Sequence, residues 1–142
     1  MINVKNYRND VVDTIINVKN FMYEEHRIQV YVNGRFTTTI KIKPIDLCTI
    51  LSNALDNAIN ANAGLSAAIT RFIEIDIMAN RNYYLVTLKN PVEKQVEVKN
   101  NHIVNSVGNG MGNIEKTVIT YGGYIKINSM PDVFTLEIVF PS

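Results

Sequence analysis

Cysteine occurs once in this chain, at Cys48, so no internal disulfide can form and a reduced setting is expected. Charge of one sign is not in excess either: 14 Lys and Arg stand against 13 Asp and Glu, a formal net charge of +1. That balance lacks the broad electrostatic footprint of a nucleic-acid or membrane-surface binder, and no nucleic-acid partner is expected. No apolar run approaches the roughly 20 residues needed to span a bilayer. The first twenty residues, MINVKNYRNDVVDTIINVKN, are studded with charged and amide side chains and do not resemble a secretory leader. Internal repeats, low-complexity blocks and Pro/Gly/Ser-rich linkers are missing as well. What is present, 142 residues at 46% apolar composition, reads as one soluble domain with a real core.

Hydrophobic spacing lays out the elements. From about Asn9 to Glu25, Val11, Val12, Ile15, Ile16, Val18 and Met22 recur near helical spacing, with Asn9 or Asp10 placed to cap the start. IQVYVNGRFTTTIKI reads as two strands around the turn-forming pair Asn33-Gly34. Pro44 ends the second of these, and Asp46 is placed to cap the next helix. In that helix Leu47, Ile50, Leu51, Ala54, Leu55 and Ala58 form an unbroken apolar stripe. FIEIDIM and YYLVTLKNP follow as strands, joined by the polar turn Asn80-Arg81-Asn82. Val92 to Val107 is polar and patternless, and such a long loop inside a compact domain is usually functional. NIEKTVITYGG is a helix with a glycine stop. YIKINSM and VFTLEIVF close the chain as strands. The mixture predicts an α/β two-layer sandwich: a mixed, mostly antiparallel sheet covered by helices on one face.

The long helix carries Asn53, Asp56, Asn57 and Asn60 on a second stripe, although Asn is a poor interior helix former. An amide oxygen is a hard, neutral ligand suited to Mg²⁺, and the amide NH₂ can donate to phosphate. Asn53 and Asn57 lie one turn apart and can address one ligand; a merely solvated face is the plain alternative. Downstream, Gly108, Gly110 and Gly112 alternate just before a helix, so backbone N–H groups can approach a ligand closely. The helix start adds partial positive charge that suits phosphate. This is neither a P-loop, since no Gly-Lys-Ser/Thr follows, nor a dinucleotide fingerprint. A flexible turn is the plain alternative here.

Together the two stretches resemble the N box and the second glycine box of the GHKL superfamily, which includes gyrase, the mismatch-repair ATPases and the sensor histidine kinases. DLCTILSNALDNAINA is similar to the N box of one branch, the receptor kinases of Gram-positive peptide quorum sensing. The N-terminal helix, the hairpin leading into Asp46 and the ending FTLEIVFP resemble the same branch. The resemblance covers essentially residues 1–142: an N-terminal helix and hairpin over 1–45, and the N box, lid, glycine box and closing strands over 46–142.

The resemblance implies a Bergerat-type fold and a site for ATP and Mg²⁺. Asn57 falls where the family's Mg²⁺-binding asparagine sits, and Asn53 where hydrolysing branches place a water-activating glutamate. With an amide there, transfer to another acceptor is expected rather than hydrolysis. Asn90 takes the place of the aspartate that binds the adenine amino group. Asn60 belongs to the same helix face. Gly108, Asn109, Gly110, Met111 and Gly112 match the segment that wraps the phosphates, and VEKQVEVKNNHIVNSV matches the mobile lid. Three features depart from the pattern: the first glycine box is NPVEK, without its acid or glycines; Asn60 stands where many relatives have Lys or Glu; and the lid keeps only Lys94 and Lys99 as cations.

The expected function is that of the ATP-binding catalytic domain of a two-component sensor histidine kinase. Its acceptor histidine is expected on an upstream dimerisation hairpin outside this chain, with a response regulator downstream. His26 and His102 read as ordinary solvated residues, and the domain is expected on the cytoplasmic side of a membrane-anchored receptor. A degenerate nucleotide-binding or docking module without kinase activity is the alternative, and a serine kinase of the anti-sigma-factor type a third reading.

Overall fold

The structure is a computed structural model that describes residues 2–5, 10–34, 40–105 and 108–142. Its elements are β1 (Ile2–Lys5), α1 (Asp10–Val18), α2 (Asn20–Glu25), β2 (Gln29–Gly34), α3 (Pro44–Ala63), β3 (Phe72–Ala79), β4 (Tyr83–Pro91), β5 (Val98–Lys99), β6 (His102–Ile103), α4 (Gly110–Thr120), β7 (Tyr124–Ser129) and β8 (Val133–Pro141). Six strands form one mixed sheet in the order β1-β2-β3-β4-β8-β7. The β1–β2 and β2–β3 pairs are parallel and the other three antiparallel. The expected two-layer α/β sandwich is what the chain adopts. No helix among the described residues is long and apolar enough to cross a membrane.

Period-two patterning decides which face of the sheet is covered. Val32, Ile75, Leu88, Leu136 and Ile127 form one row across five strands, and all five are buried. The neighbouring row, Asn33, Asp76, Thr87, Glu137 and Lys126, is polar and partly or fully exposed. The covered face packs under α3, whose Leu47, Ile50, Leu51, Ala54, Leu55, Ala58 and Ile59 are all buried. Helices α1 and α4 lie on either side of α3 and contribute Val12, Ile15, Ile16, Ile114 and Val118 to the same core.

Three local expectations need correction. The N-terminal helix is two helices, α1 and α2, with Lys19 between them; Lys19 Nζ leaves the break to pair with Asp56 at 2.7 Å. Asn9 lies outside the described residues. Second, Asn33-Gly34 turns no hairpin. Strand β2 runs between β1 and β3, parallel to both, so neither edge is free for a returning strand. Asn33 Nδ2 instead donates to Asp76 Oδ1 on β3 at 2.9 Å. Of the expected return strand, residues 35–39 lie outside the described residues and 40–43 are not in a strand. Third, Asp46 is not a cap: α3 starts one turn earlier, with Pro44 in its first turn and Lys43 at the cap position. Proline at a helix start removes an N–H that would have no partner there.

Asp46, in the first turn of α3, instead ties two helices together. The Tyr121 hydroxyl at the end of α4 donates to the Asp46 carboxylate and accepts from the Lys43 N–H at 3.1 Å. Its ring packs edge-to-face on Phe140, 6.2 Å between centroids. The phenol's pKa is raised, first by that hydrogen bond to Asp46 and then by desolvation. The end of α4 is thereby fixed at the start of α3, which brings the start of α4 alongside the middle of α3.

At its other end α3 is held by a residue that sequence reasoning passed over. Asn62 is fully buried; its Nδ2 donates to the carbonyls of Ala58 (2.9 Å) and Phe72 (3.0 Å), and its Oδ1 accepts from the Phe72 N–H (3.1 Å). This one amide pairs with the first residue of β3 as a strand would. Asn62→Ala strands the Phe72 N–H and C=O, so a loss of about 3 kcal/mol is expected in denaturant unfolding.

Candidate functional site

Antiparallel packing of α3 and α4 leaves a cavity of about 310 Å³ between α3, the end of β4, the segment after it and the start of α4. Asn57, Asn60 and Ala61 enter it from α3, and Asn90 from the end of β4. Gly110 and Met111 come from the first turn of α4, Phe134 from β8, and Val92, Val96 and Ile103 from the loop expected to be a lid. The volume lies at the small end of the range for small-molecule sites, and the lining has their usual character: apolar walls with a few polar groups. Among the described residues no ionisable side chain lines it. Its polar groups are amides and backbone.

Asn90 in this lining, and Asn53 one turn before Asn57 on α3, have defined orientations. Asn90 is 5% exposed, and its Nδ2 donates to the Pro91 carbonyl at 3.1 Å, so Oδ1 remains as an acceptor. Asn53 Nδ2 donates to the Thr49 carbonyl at 2.8 Å, which likewise leaves its Oδ1 free to accept. The Asn57 side chain makes no hydrogen bond to another described residue. It faces Gly110: a Cβ built on that glycine would lie 3.1 Å from Asn57 Oδ1 and 3.7 Å from Asn53 Oδ1. The two amide oxygens therefore converge on the start of α4, and only a residue without a side chain leaves the gap between them and the helix open.

The glycine segment sits differently from expectation. Gly110, Met111 and Gly112 are inside the first turn of α4 rather than ahead of it, and Asn109 occupies the cap position. Gly110 and Met111 line the cavity, whereas Gly108, Asn109 and Gly112 lie outside its lining and are exposed. Asn109 makes no side-chain cap. The N–H groups of that first turn are left to a ligand or to water, and the helix dipole favours an anion there.

Asp56 also departs from the expected stripe. It turns to Lys19 rather than toward the cavity, beside Tyr23, whose hydroxyl is buried without a hydrogen-bond partner. Burial, and secondarily the Asp56 charge, raises that phenol's pKa. The stripe Asn53, Asp56, Asn57 and Asn60 thus divides: three amides belong to the site or its mouth, and the carboxylate anchors α3 to the α1–α2 break.

Spacing gave no hint of Ala61, Val92, Val96, Ile103 and Phe134. The loop residues among them follow no period, and Phe134 reads only as an inward strand position. Within the loop, Val98–Lys99 and His102–Ile103 pair as a two-stranded hairpin, β5–β6. His102 in β6 donates from Nδ1 to the Asn100 carbonyl at 2.8 Å and reaches Glu115 of α4 with Nε2 at 3.4 Å. These contacts, the Asn100 bond first and then Glu115, raise its pKa above the ordinary 6.5. A raised histidine pKa means that the folded state favours the protonated form. The contribution is present below about pH 6.5 and disappears as pH rises through the raised value. An NMR titration is expected to place His102 above 6.5, and Glu115→Gln to lower it part of the way, with the Asn100 bond intact.

Among the described residues no group of three or more His, Cys, Asp or Glu can hold a metal ion. Mg²⁺ does not need one: it keeps most of its waters and is held by one or two protein oxygens plus ligand phosphates. A single neutral amide at Asn57, beside a helix start suited to phosphate, fits that mode.

A family profile described as GHKL domain matches residues 42–141. No curated protein matches the chain at a significant level. Among solved structures, the histidine kinase AdeS of Acinetobacter baumannii is 12% identical with a TM-score of 0.70; the match covers 93% of this chain and 63% of that one. The nucleotide-free catalytic domain of the histidine kinase ThkA is 14% identical with a TM-score of 0.73, covering 94% and 92% of the two chains. The mycobacterial sensor histidine kinase MprB is 12% identical, TM-score 0.67, covering 92% and 94%. At such identities these structures establish a shared fold.

Proposed function

The chain belongs to the GHKL domain family, and from that premise we propose that it is the ATP-binding catalytic domain of a two-component sensor histidine kinase. One observation carries the reading: the Asn57 amide faces Gly110 in the first turn of α4, and the buried amide of Asn90 lines the same cavity. The base would enter between Ala61, Val92, Val96, Ile103 and Phe134, with its exocyclic amine on Asn90 Oδ1. The phosphates would lie at the start of α4, where Gly108, Asn109, Gly110, Met111 and Gly112 offer backbone N–H groups. Asn57, with Asn53 beside it, would hold Mg²⁺, whose role is to neutralise phosphate charge. Asn60 borders the same cavity from the exposed side of α3.

The chemistry favoured is phosphoryl transfer rather than hydrolysis. Among the described residues no carboxylate lines the cavity to take a proton from water, and Asn53 is an amide, which cannot act as that base. Catalysis then rests on positioning and on charge neutralisation. Neither His26 nor His102 lines the cavity, and the resemblance to sensor kinases supports an acceptor histidine on a separate helical hairpin. The phosphoryl group passes on to a response-regulator aspartate. The resemblance to receptor kinases of peptide quorum sensing supports a cytoplasmic position in a membrane-anchored receptor.

The test is phosphotransfer in trans. The chain is incubated with Mg²⁺, γ-labelled ATP and the separately produced histidine-bearing hairpin of its receptor. Acid-labile, base-stable label on the hairpin is expected. Nucleotide binding without any label would contradict kinase activity and leave a binding module.

A further inference from the structure

The β5–β6 hairpin turns in two residues, Asn100 and Asn101, with Lys99 opposite His102. Both turn residues have positive φ, 53° and 60°, the two-residue turn in which Asn is favoured. The side chain of Asn101 leaves this turn and lands on the free edge of the main sheet. Strand β7 is the last strand there and, among the described residues, pairs only with β8. Asn101 Nδ2 donates to the Ile125 carbonyl at 2.9 Å, and Asn101 Oδ1 accepts from the Ile127 N–H at 2.8 Å. One amide thus satisfies an acceptor and a donor two residues apart, as a neighbouring strand would.

A second tie holds the other end of the loop to the same strand. Gln95 Nε2 donates to the Ser129 carbonyl at 2.8 Å, and the Ser129 hydroxyl donates to the Val96 carbonyl. Val96 and Ile103, which wall the cavity, belong to the segment held by these two anchors.

We propose that Asn101 is a positioning residue for the nucleotide: by docking the lid hairpin on the edge of β7, it holds Val96 and Ile103 over the cavity before ligand arrives. The inference rests on the nucleotide reading of that cavity. A wall that is already ordered does not have to be ordered at the expense of binding. Without the dock, the ligand itself must organise the loop, so affinity falls and dissociation quickens.

Asn101→Gly separates the dock from the turn, since glycine accepts positive φ without strain. Two readouts are taken. Hydrogen exchange at the Ile127 amide is measured in the ligand-free chain. Equilibrium binding and dissociation of a fluorescent ATP analogue with Mg²⁺ are then compared with the wild-type chain. Expected are faster exchange at Ile127, an unchanged thermal midpoint, and a Kd raised about tenfold through faster dissociation. Asn101→Asp keeps the acceptor for Ile127 and loses the donor to Ile125, so its Kd should fall between the two. Unchanged exchange at Ile127, or an unchanged Kd in Asn101→Gly, overturns the inference. A wild-type chain that binds no analogue defeats the nucleotide reading itself, whereas a binding wild-type chain with an unaffected variant defeats this inference alone.

Discussion

Asn57→Ala is expected to weaken Mg²⁺-dependent binding of a non-hydrolysable ATP analogue by roughly 100-fold, about 2.7 kcal/mol, while leaving the chain folded. The size follows from the environment. Asn57 is half-buried at the wall of the cavity and offers its amide to no other described residue. Its oxygen is free for a metal or for a charged phosphate environment, where one bond is worth more than between neutral groups. The stability effect runs the other way. Asn inside a helix costs about 0.5 kcal/mol relative to Ala, and the substitution removes no hydrogen bond. The variant is therefore expected to melt at the same temperature as the parent or slightly above it. A helix that keeps a stability-lowering residue at a cavity wall is what a binding role requires. A parallel loss of stability and affinity would contradict that role and make Asn57 a structural residue.

Gly34→Ala should have the largest effect on the fold. Gly34 ends β2 with φ +83°, paired with Ile77 of β3, and a Cβ there would overlap the Ile77 carbonyl oxygen. Neither atom can move without separating β2 from β3, because both belong to the backbone. Strain from positive φ adds to the overlap. A loss of at least about 3 kcal/mol is expected, seen as a fall of roughly 10 °C in the thermal midpoint. The damage lies in the parallel half of the sheet, away from the cavity. ATP-analogue binding by whatever fraction remains folded should therefore persist. A midpoint within about 2 °C of the parent would mean that β2 and β3 do not meet in this register.

Much of this architecture was legible in the sequence because its signals are local and redundant. The stripe from Leu47 to Ala58 identifies α3, and alternation through Ile73, Ile75 and Ile77 identifies the covered face of β3. The errors arose where a tertiary partner outweighs a local preference. Asn33-Gly34 favours a hairpin turn in isolation, but with β1 and β3 on either side β2 has no free edge. Asp46 looks like a cap, yet its carboxylate is engaged by Tyr121, 75 residues away.

The candidate site divides in the same way. Asn57 and Asn60 were identified from the N box, Asn90 from the first glycine box and Gly110 and Met111 from the second, and all five line one cavity. Asn62 and Asn101 were invisible as asparagines among many. Nothing in their neighbours shows that each pairs with a strand backbone. Val96 and Ile103 were likewise hidden, because their placement depends on how the loop docks rather than on any period within it.

The most direct test of the account is an isothermal titration of the chain with a non-hydrolysable ATP analogue, with and without Mg²⁺. Binding in the micromolar range that requires Mg²⁺ is the predicted result. No heat of binding at millimolar analogue, with or without Mg²⁺, would contradict the claim that the amide-lined cavity between α3 and α4 is a nucleotide site.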